Sequence, residues 1–361
     1  MRNINKNLYT KSSLHSISPY IGKLRPELAN KLINEFSKKS DLIFDPFSGS
    51  GTISLEAWIN NRNTIAVDLN YYAYLLSKAK LFPYSKFNEA EKKFNKYFKI
   101  INSEELNFDL RTIPIEIRRF FHKKTIKEVL AWRNILQNNK EWLLLACLMG
   151  ILHHQRPGFL SYPSSHGAPY LRTELFPKEE YPELYEYRSV SDRLLAKIKR
   201  TYKDIPDLDF SKKRNVYFRN FLSINHLEKQ NITIVSSPPY MKSLTYARDN
   251  RLRLWFLGYP EWEELERKIS IGKQDFLLLM KKCFNKWYNI QKKGNYCILI
   301  VGDIEYDKKL NNRLPDIICN EAERERYFTE EIRDYPISTD RKFDKKDSQI
   351  KMEKICILRR T

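Results

Sequence analysis

The chain has 361 residues, 42% of them hydrophobic, which is enough to bury the core of one large domain or two ordinary ones and excludes a predominantly disordered protein. Lys and Arg number 64 against 44 Asp and Glu, so the net charge is +20. Such an excess favours a polyanionic partner, because contacts with phosphates release counterions. Charge alone does not distinguish a nucleic-acid-binding protein from one with a solvated basic surface.

Cysteine spacing and the length of apolar stretches indicate the cellular compartment of the protein. The five cysteines are scattered and include no CxxC pair, so the sequence predicts neither a disulfide framework nor a zinc site. The first residues, MRNINKNLYTKSS, lack the apolar segment of a secretory signal. The longest apolar stretch, residues 143–152, is too short to span a bilayer. We therefore expect a cytoplasmic protein with no metal and no membrane partner.

The predicted elements begin with an α/β unit over residues 41–84: DLIF is a strand, DPFSGSGT a loop, ISLEAWINN a helix, TIAVD a strand and LNYYAYLLSKAKLF a helix. Between about 86 and 210 the pattern changes: TIKEVLAWRNILQ and EWLLLACLMGILHH have helical periodicity, and the stretch RPGFLSYPSSHGAPYLRTELFP that follows is rich in loops. NVYF, NITIVSS, NYCILIVGD and KICILRR then predict strands separated by helices. The chain therefore divides into a first core part at 1–85, a mainly helical insertion at 86–210 and a second core part at 211–361.

The DPFSGSGT loop is a predicted ligand site, since ligands of open α/β sheets bind beyond the carboxyl end of the first strand. Gly49 and Gly51 allow the backbone to turn sharply and approach a ligand closely. We expect Ser50 or Thr52 to cap the helix that follows.

Two common nucleotide-binding loops are excluded here. A P-loop requires Lys where Thr52 stands, and a dinucleotide fingerprint requires a third glycine where Ser54 stands. A nucleoside without a phosphate tail remains. Asp68, at the end of the second predicted strand, can accept hydrogen bonds from both ribose hydroxyls.

A second motif, SSPPY at residues 236–240, follows the strand NITIV directly. Two prolines end a strand because they remove hydrogen-bond donors and fix φ, so the motif predicts a rigid platform at the carboxyl edge of the sheet. By itself it is also compatible with an ordinary strand-ending turn.

DPFSGSGT together with SSPPY resembles the amino-methyltransferases of DNA, over roughly residues 15–85 and 214–361. The resemblance implies an α/β fold with a seven-stranded, mostly parallel Rossmann-like sheet, S-adenosylmethionine as cofactor and double-stranded DNA as substrate. It implies cofactor-binding roles for Asp45, Pro46, Phe47, Gly49, Gly51, Thr52, Asp68 and Asn220. It implies catalytic roles for Ser237, Pro238, Pro239 and Tyr240.

Two positions match the family pattern less closely. Asn220 stands where relatives usually carry Asp near the adenine ring. The segment SPYIGKLRPELANKLI resembles the helix that precedes the cofactor loop and helps to enclose the methionine part of the cofactor, with Pro26 and Leu28 as its matching positions.

The residue types of the second motif suit attack by an exocyclic amine, whose lone pair is delocalised into the base. The Ser237 hydroxyl and the Pro238 carbonyl can accept hydrogen bonds from the amine and favour an available lone pair. Tyr240 offers a flat face on which a flipped base can stack.

The family pattern also bears on the target base. Adenine-N6 enzymes commonly carry Asp or Asn at the position of Ser237, and Ser is associated with cytosine-N4. The resemblance therefore favours site-specific methylation of cytosine N4 within a restriction-modification system, with a cognate restriction endonuclease as a partner. Adenine N6, an amino group of RNA, and a catalytically silent nucleic-acid-binding module remain alternatives.

The insertion is the predicted target-recognition region. Its irregular part interleaves arginines and tyrosines, a mixture that suits phosphate contact and base stacking. These residues are Arg156, Arg172, Arg188, Tyr162, Tyr170 and Tyr187.

Overall fold

The computed structural model describes residues 9–361 except 155, 157, 166, 226, 240–244, 308–311 and 337–351. Its strands are β1 Leu42–Asp45, β2 Asn63–Asp68, β3 Arg214–Phe218, β4 Ile232–Ser236, β5 Tyr296–Gly302, β6 Glu305–Asp307, β7 Asn312–Arg313, β8 Tyr327–Pro336 and β9 Met352–Arg360. Its α-helices are α1 Pro26–Phe36, α2 Thr52–Ile59, α3 Tyr71–Leu81, α4 Phe87–Ser103, α5 Ile115–Arg118, α6 Lys123–Asn138, α7 Trp142–Gly150, α8 Val190–Thr201, α9 Arg251–Phe256, α10 Trp262–Ile269, α11 Lys273–Ile290 and α12 Leu314–Arg324.

One seven-stranded sheet organises the fold, with the strand order β3-β2-β1-β4-β5-β9-β8. Strands β1 to β5 are parallel, and β9 and β8 complete the sheet in antiparallel pairs. This confirms the predicted seven-stranded, mostly parallel Rossmann-like α/β sheet. The order reverses between β1 and β4, and ligands of such sheets bind in the crevice at this switch point. DPFSGSGT follows β1 and SSPPY follows β4, so both motifs lie at that crevice.

The central strands are apolar on both faces because helices cover both sides of the sheet. On one side Ile43 and Val235 pack in a cluster with residues of α1 and α2. On the other side Phe44 and Ile234 pack with residues of α11 and α12. The alternation follows from the period of two in a strand, which sends successive side chains to opposite faces.

Strand β8 was not predicted from the sequence. It is an edge strand on which Tyr327 is buried and the following residues, FTEEIRDYP, are exposed or half-buried. A charged edge strand lacks the apolar run that identifies the central strands, and its charges protect the sheet edge from pairing with other chains.

The predicted insertion contains the helices α4 to α8, of which the periodicity predicted α6 and α7. Its most apolar helix, α7, is buried from Leu143 to Gly150. Leu144 and Trp132 belong to the same buried cluster as Leu55 and Leu76 of the sheet-covering helices α2 and α3. The insertion and the first core part therefore share a continuous core, and the division of the chain at residues 85 and 210 stays a prediction. Within the described residues, every helix is too short or too polar to cross a membrane.

Candidate active site

A cavity of about 290 Å³ lies beyond the carboxyl ends of β1, β2 and β4. Both sequence motifs contribute to its wall. The predicted site residues that line it are Asp45, Pro46, Phe47, Gly49, Thr52, Asp68, Asn220, Ser237 and Pro239. Gly51 and Pro238 are not among the lining residues, and Tyr240 lies outside the described residues.

The two loop glycines have different structural roles. Both have positive φ, +47° at Gly49 and +71° at Gly51, which side chains other than glycine rarely adopt. A Cβ on Gly51 would lie 2.7 Å from Ser77 Oγ and 2.9 Å from Ser77 Cα in α3. The absence of a side chain at Gly51 therefore allows α3 to pack against the loop, and a contact between Gly51 and the cofactor stays a prediction. A Cβ on Gly49 would lie 3.3 Å from the ring of Tyr20, which lines the cavity.

The prediction that a side chain caps α2 is wrong. Gly51 occupies the cap position, and no side chain caps the helix. The hydroxyls of Ser50 and Thr52 lie 3.2 Å apart and bond to each other. The backbone carbonyl of Ser50 accepts a hydrogen bond from the buried Lys80 ammonium of α3. The shape of the loop therefore depends on α3, which a local reading of the motif does not reveal.

Asp68 ties the end of β2 to the glycine loop. Its Oδ2 accepts from the Gly49 N–H at 2.8 Å, and its Oδ1 accepts from the Asn70 N–H at 2.8 Å. Burial raises the pKa of Asp68 to about 6, although these backbone donors oppose the rise. Each carboxylate oxygen has two lone pairs, so Asp68 retains acceptor capacity for ribose hydroxyls.

Asp45 joins the two motifs. Its Oδ1 accepts a hydrogen bond of 2.6 Å from the hydroxyl of Ser236, and both residues are buried. Burial raises the pKa of the Asp45 carboxyl to about 7, while the hydrogen bonds from Ser236 and the Phe47 backbone oppose the rise. The sequence analysis did not assign Ser236 a role. Its position as the last residue of a buried strand, one residue before the predicted catalytic serine, was the available signal.

The outer wall of the cavity includes residues that the sequence did not predict. Phe221 contacts Phe47 edge-on, with ring centroids 6.1 Å apart, and forms an apolar wall. Asn220 lies beside it, and its side-chain oxygen accepts from the Leu222 N–H at 2.9 Å. Helices α10 and α11 close the same side through Ile269 and other residues far from either motif. Because the side-chain oxygen of Asn220 bonds to the backbone, its NH2 group points to a role as a hydrogen-bond donor to a ligand.

The segment before α1 contributes differently from the prediction. Pro26 begins α1 and Leu28 packs against the sheet, and neither lines the cavity. Tyr20 and the residues 22–24 line it instead. The enclosing element is therefore the turn that precedes the helix, not the helix itself.

The arginines of the insertion divide into exposed and buried ones. Arg156 is exposed. Arg188 is 5% exposed, and its guanidinium donates to the backbone carbonyls of Phe159 and Leu184 at 3.0 and 2.9 Å. The expectation that Arg188 contacts phosphate is therefore wrong, because it stabilises the folded loop from inside.

The insertion reaches the part of the chain that follows the second motif. The Arg251 guanidinium of α9 lies 4.6 Å from the ring centroid of Tyr170 and donates to the Pro169 carbonyl at 2.5 Å. Tyr170 is 52% exposed. Among the described residues, no three His, Cys, Asp or Glu side chains are grouped as metal ligands would be.

The fold is a Rossmann-like α/β sheet with a cavity at its switch point. Residues 3–79 match the family model for N6/N4 methyltransferases, described as DNA methylase. The chain is 34% identical over 71 residues to the type II methyltransferase M.MjaII of Methanocaldococcus jannaschii. This alignment covers 20% of this chain and 13% of that protein. It is 25% identical over 290 residues to the type II methyltransferase M.BsoBI of Geobacillus stearothermophilus, covering 71% of this chain and 54% of that protein.

Together these matches support the N6/N4 amino-methyltransferase family that the two motifs resemble. The chain spans about half the length of M.BsoBI and a smaller share of M.MjaII.

Two solved structures resemble this chain at 10% sequence identity. The alignment with TrmN from Thermus thermophilus has a TM-score of 0.41 and covers 98% of this chain and 55% of that one. The alignment with the rRNA methyltransferase aviRa from Streptomyces viridochromogenes has a TM-score of 0.35 and covers 99% of this chain and 94% of that one.

Proposed function

We propose that this protein is a site-specific DNA methyltransferase that transfers a methyl group from S-adenosylmethionine to N4 of a cytosine flipped into the cavity. One observation carries the proposal. Residues 45–50 and Thr52 of the DPFSGSGT loop line a single cavity with Ser237 and Pro239, which follow β4, as a methyl donor and an amine acceptor require. The family match over residues 3–79 supports the same chemistry.

The residues present suit the proposed cofactor. Asp68 keeps acceptor capacity for two ribose hydroxyls at the end of β2, and the Phe221 wall suits an adenine ring. Asp45 adds a second carboxyl at the end of β1, which suits a cationic ligand when it is ionised. When bound, S-adenosylmethionine supplies an already activated methyl group. The work left to the chain is therefore mainly to align the acceptor amine with that group.

The strand end after β4 supplies the acceptors for that alignment. In the proposed mechanism the Ser237 hydroxyl and the Pro238 carbonyl accept hydrogen bonds from the exocyclic NH2 group. These bonds hold the nitrogen lone pair toward the methyl group and strengthen as positive charge develops on the nitrogen. The cofactor held by the DPFSGSGT loop and Asp68 would supply the methyl group to the amine nitrogen, and the proton that the amine gives up would pass to solvent. Tyr240, proposed from the sequence alone, stacks on the flipped base.

Serine at position 237 favours cytosine N4 over adenine N6 on the family pattern, and both curated relatives are described as type II methyltransferases. On that basis we also propose a restriction-modification setting, with a cognate endonuclease that cuts the same unmethylated site. The net charge of +20 supports DNA as the polyanionic partner.

Transfer of a labelled methyl group tests the proposal. Purified protein is incubated with labelled S-adenosylmethionine and, in parallel, with unmethylated plasmid DNA and total RNA. We expect label in DNA, and loss of that label in Ser237→Ala. Label in RNA alone would replace DNA by RNA as the substrate, and cofactor binding without transfer to either would favour a catalytically silent binding module.

A further inference from the structure

The segment that follows the second motif is held by helix α10. Glu266, half-buried in α10, accepts two hydrogen bonds through Oε2, from the Ala247 N–H at 2.6 Å and from the Arg248 N–H at 3.0 Å. A charged acceptor forms stronger hydrogen bonds with backbone donors than a neutral one. The two N–H groups belong to consecutive residues, so a single carboxylate fixes this stretch of backbone.

Helix α9 and the residues before it hold the same backbone from the other side. Asn250 is buried, and its Nδ2 donates to the Tyr246 carbonyl at 2.8 Å. The Asn250 Oδ1 accepts from the buried Arg253 at 3.3 Å, and Arg253 in turn donates to the Met149 carbonyl of α7 at 3.1 Å. Backbone groups of three consecutive residues, 246–248, are thus bound by two side chains, Asn250 four residues after Tyr246 and Glu266 of α10.

The residue held between these contacts belongs to the cavity. Tyr246 lines it together with Ser237 and Pro239, and Glu266 does not line it. Ser236, which precedes the proposed acceptors Ser237 and Pro238, is bound to Asp45, and Glu266 holds residues 247 and 248.

We propose that Glu266 is a positioning residue for methyl transfer. By binding the Ala247 and Arg248 backbone it fixes Tyr246 against the cavity. It acts on the acceptor side of the reaction and leaves the cofactor side unchanged, because its contacts are with residues 247–248 and not with the DPFSGSGT loop. This inference rests on the proposed function.

The test compares three variants with the wild type in single turnovers on DNA and in cofactor binding. Glu266→Ala removes the acceptor. Glu266→Gln keeps a neutral oxygen of the same shape, which can still accept from both N–H groups. Glu263→Ala is the matched control, because Glu263 is an exposed carboxylate on the same helix.

Glu266→Ala should slow methyl transfer by up to about 100-fold, the size of loss that a misplacement of about 1 Å causes. Its S-adenosylmethionine dissociation constant should stay within about twofold of the wild-type value, since only the acceptor side of the site changes. Glu266→Gln should recover most of the rate, and Glu263→Ala should match the wild type.

Unchanged transfer in Glu266→Ala would overturn the inference. So would a loss of cofactor binding in parallel with the loss of rate, in both Glu266 variants, because that result indicates a structural role only. If the wild type itself transfers no methyl group to DNA, the proposed function fails first and the positioning role fails with it. The wild-type reaction therefore separates the two failures.

Discussion

The hydroxyl of Ser236 donates a hydrogen bond of 2.6 Å to Oδ1 of Asp45, and this bond connects the last residue of β4 to the last residue of β1. The two strands are neighbours in the sheet. Because one motif begins at each of these residues, the cofactor loop and the acceptor loop share a fixed starting point. The separation between methyl donor and amine acceptor thus depends on a buried contact as well as on the strand register.

Ser236→Ala should therefore destabilise the protein. The buried Asp45 carboxylate would lose its hydroxyl donor, which costs about 1–3 kcal/mol for a buried group left without its partner. Urea denaturation at pH 8 measures the loss. Ser54→Ala is the control, since Ser54 Oγ is buried with no hydrogen-bond partner in the described part of the chain, and it should change stability little. Equal effects of the two substitutions would contradict a specific role for the Asp45–Ser236 bond.

Asp45→Asn should show how much an ionised carboxyl at this position lowers the free energy of unfolding. Burial raises the folded-state pKa of Asp45 from 3.8 to about 7, so the native state binds the proton more tightly than the unfolded chain does. Stability contributed by Asp45 is then complete below about pH 4 and is lost as the pH rises through 7. Relative to the wild type, Asp45→Asn should gain stability between pH 4 and pH 8, by up to roughly 4 kcal/mol.

Denaturation of the two proteins across that pH range, without cofactor, gives this difference directly. Glu56 and Asp68 also have raised pKa values, of about 7 and about 6, and because both are present in both proteins their own titration largely cancels in the difference. A stability difference that stays constant from pH 4 to pH 8 would show that Asp45 titrates normally.

Gly51→Ala should destabilise the protein even without cofactor. The substitution combines a positive φ with a Cβ placed 2.9 Å from the Ser77 backbone, and these together cost about 2–4 kcal/mol. Gly158→Ala is the matched control, because no atom lies within 4 Å of the added Cβ there. Thermal unfolding in the absence of ligand distinguishes the two. If Gly51→Ala unfolds as the wild type does and only weakens cofactor binding, the glycine serves the ligand after all.

DNA binding should weaken steeply with salt, because phosphate contacts by Lys and Arg release counterions. Arg156→Ala, in the exposed loop of the insertion, should weaken binding and reduce the salt slope by about one. Lys213→Ala should leave both unchanged, since Lys213 is exposed just before β3, at the amino edge of the sheet opposite the cavity. Fluorescence anisotropy at several salt concentrations measures both quantities. Equal effects at the two positions would show that the insertion loop does not contact DNA.

The sequence predicted those parts of the fold that local patterns determine. Strands β1 to β5 and β9 are short apolar runs bounded by turn residues, and each predicted strand was found. The DPFSGSGT loop has a specific residue pattern, so most of its residues could be placed at the cavity before the structure was known. Helical periodicity identified α6 and α7 for the same reason.

The remaining features depend on contacts between distant parts of the chain. Position 51 must be glycine because Ser77 of α3 packs against it. Ser236 bonds to Asp45, although β4 begins 187 residues after β1 ends. The sequence does not distinguish Arg188 from Arg156, and only the folded loop shows that Arg188 is buried. No spacing rule reports such contacts, because they arise when separate elements pack together.

Identification of the methylated nucleoside tests the central claim most directly. Unmethylated DNA is incubated with the purified protein and S-adenosylmethionine carrying an isotopically labelled methyl group, digested to nucleosides and analysed by mass spectrometry. We predict labelled N4-methyldeoxycytidine for the wild type and at least a tenfold smaller yield for Ser237→Ala, the order of change expected when one hydrogen bond to the developing charge is lost. Labelled N6-methyldeoxyadenosine would keep the amino-methyltransferase and change its target base. Label on cytosine C5, or no label in DNA at all, would contradict the account.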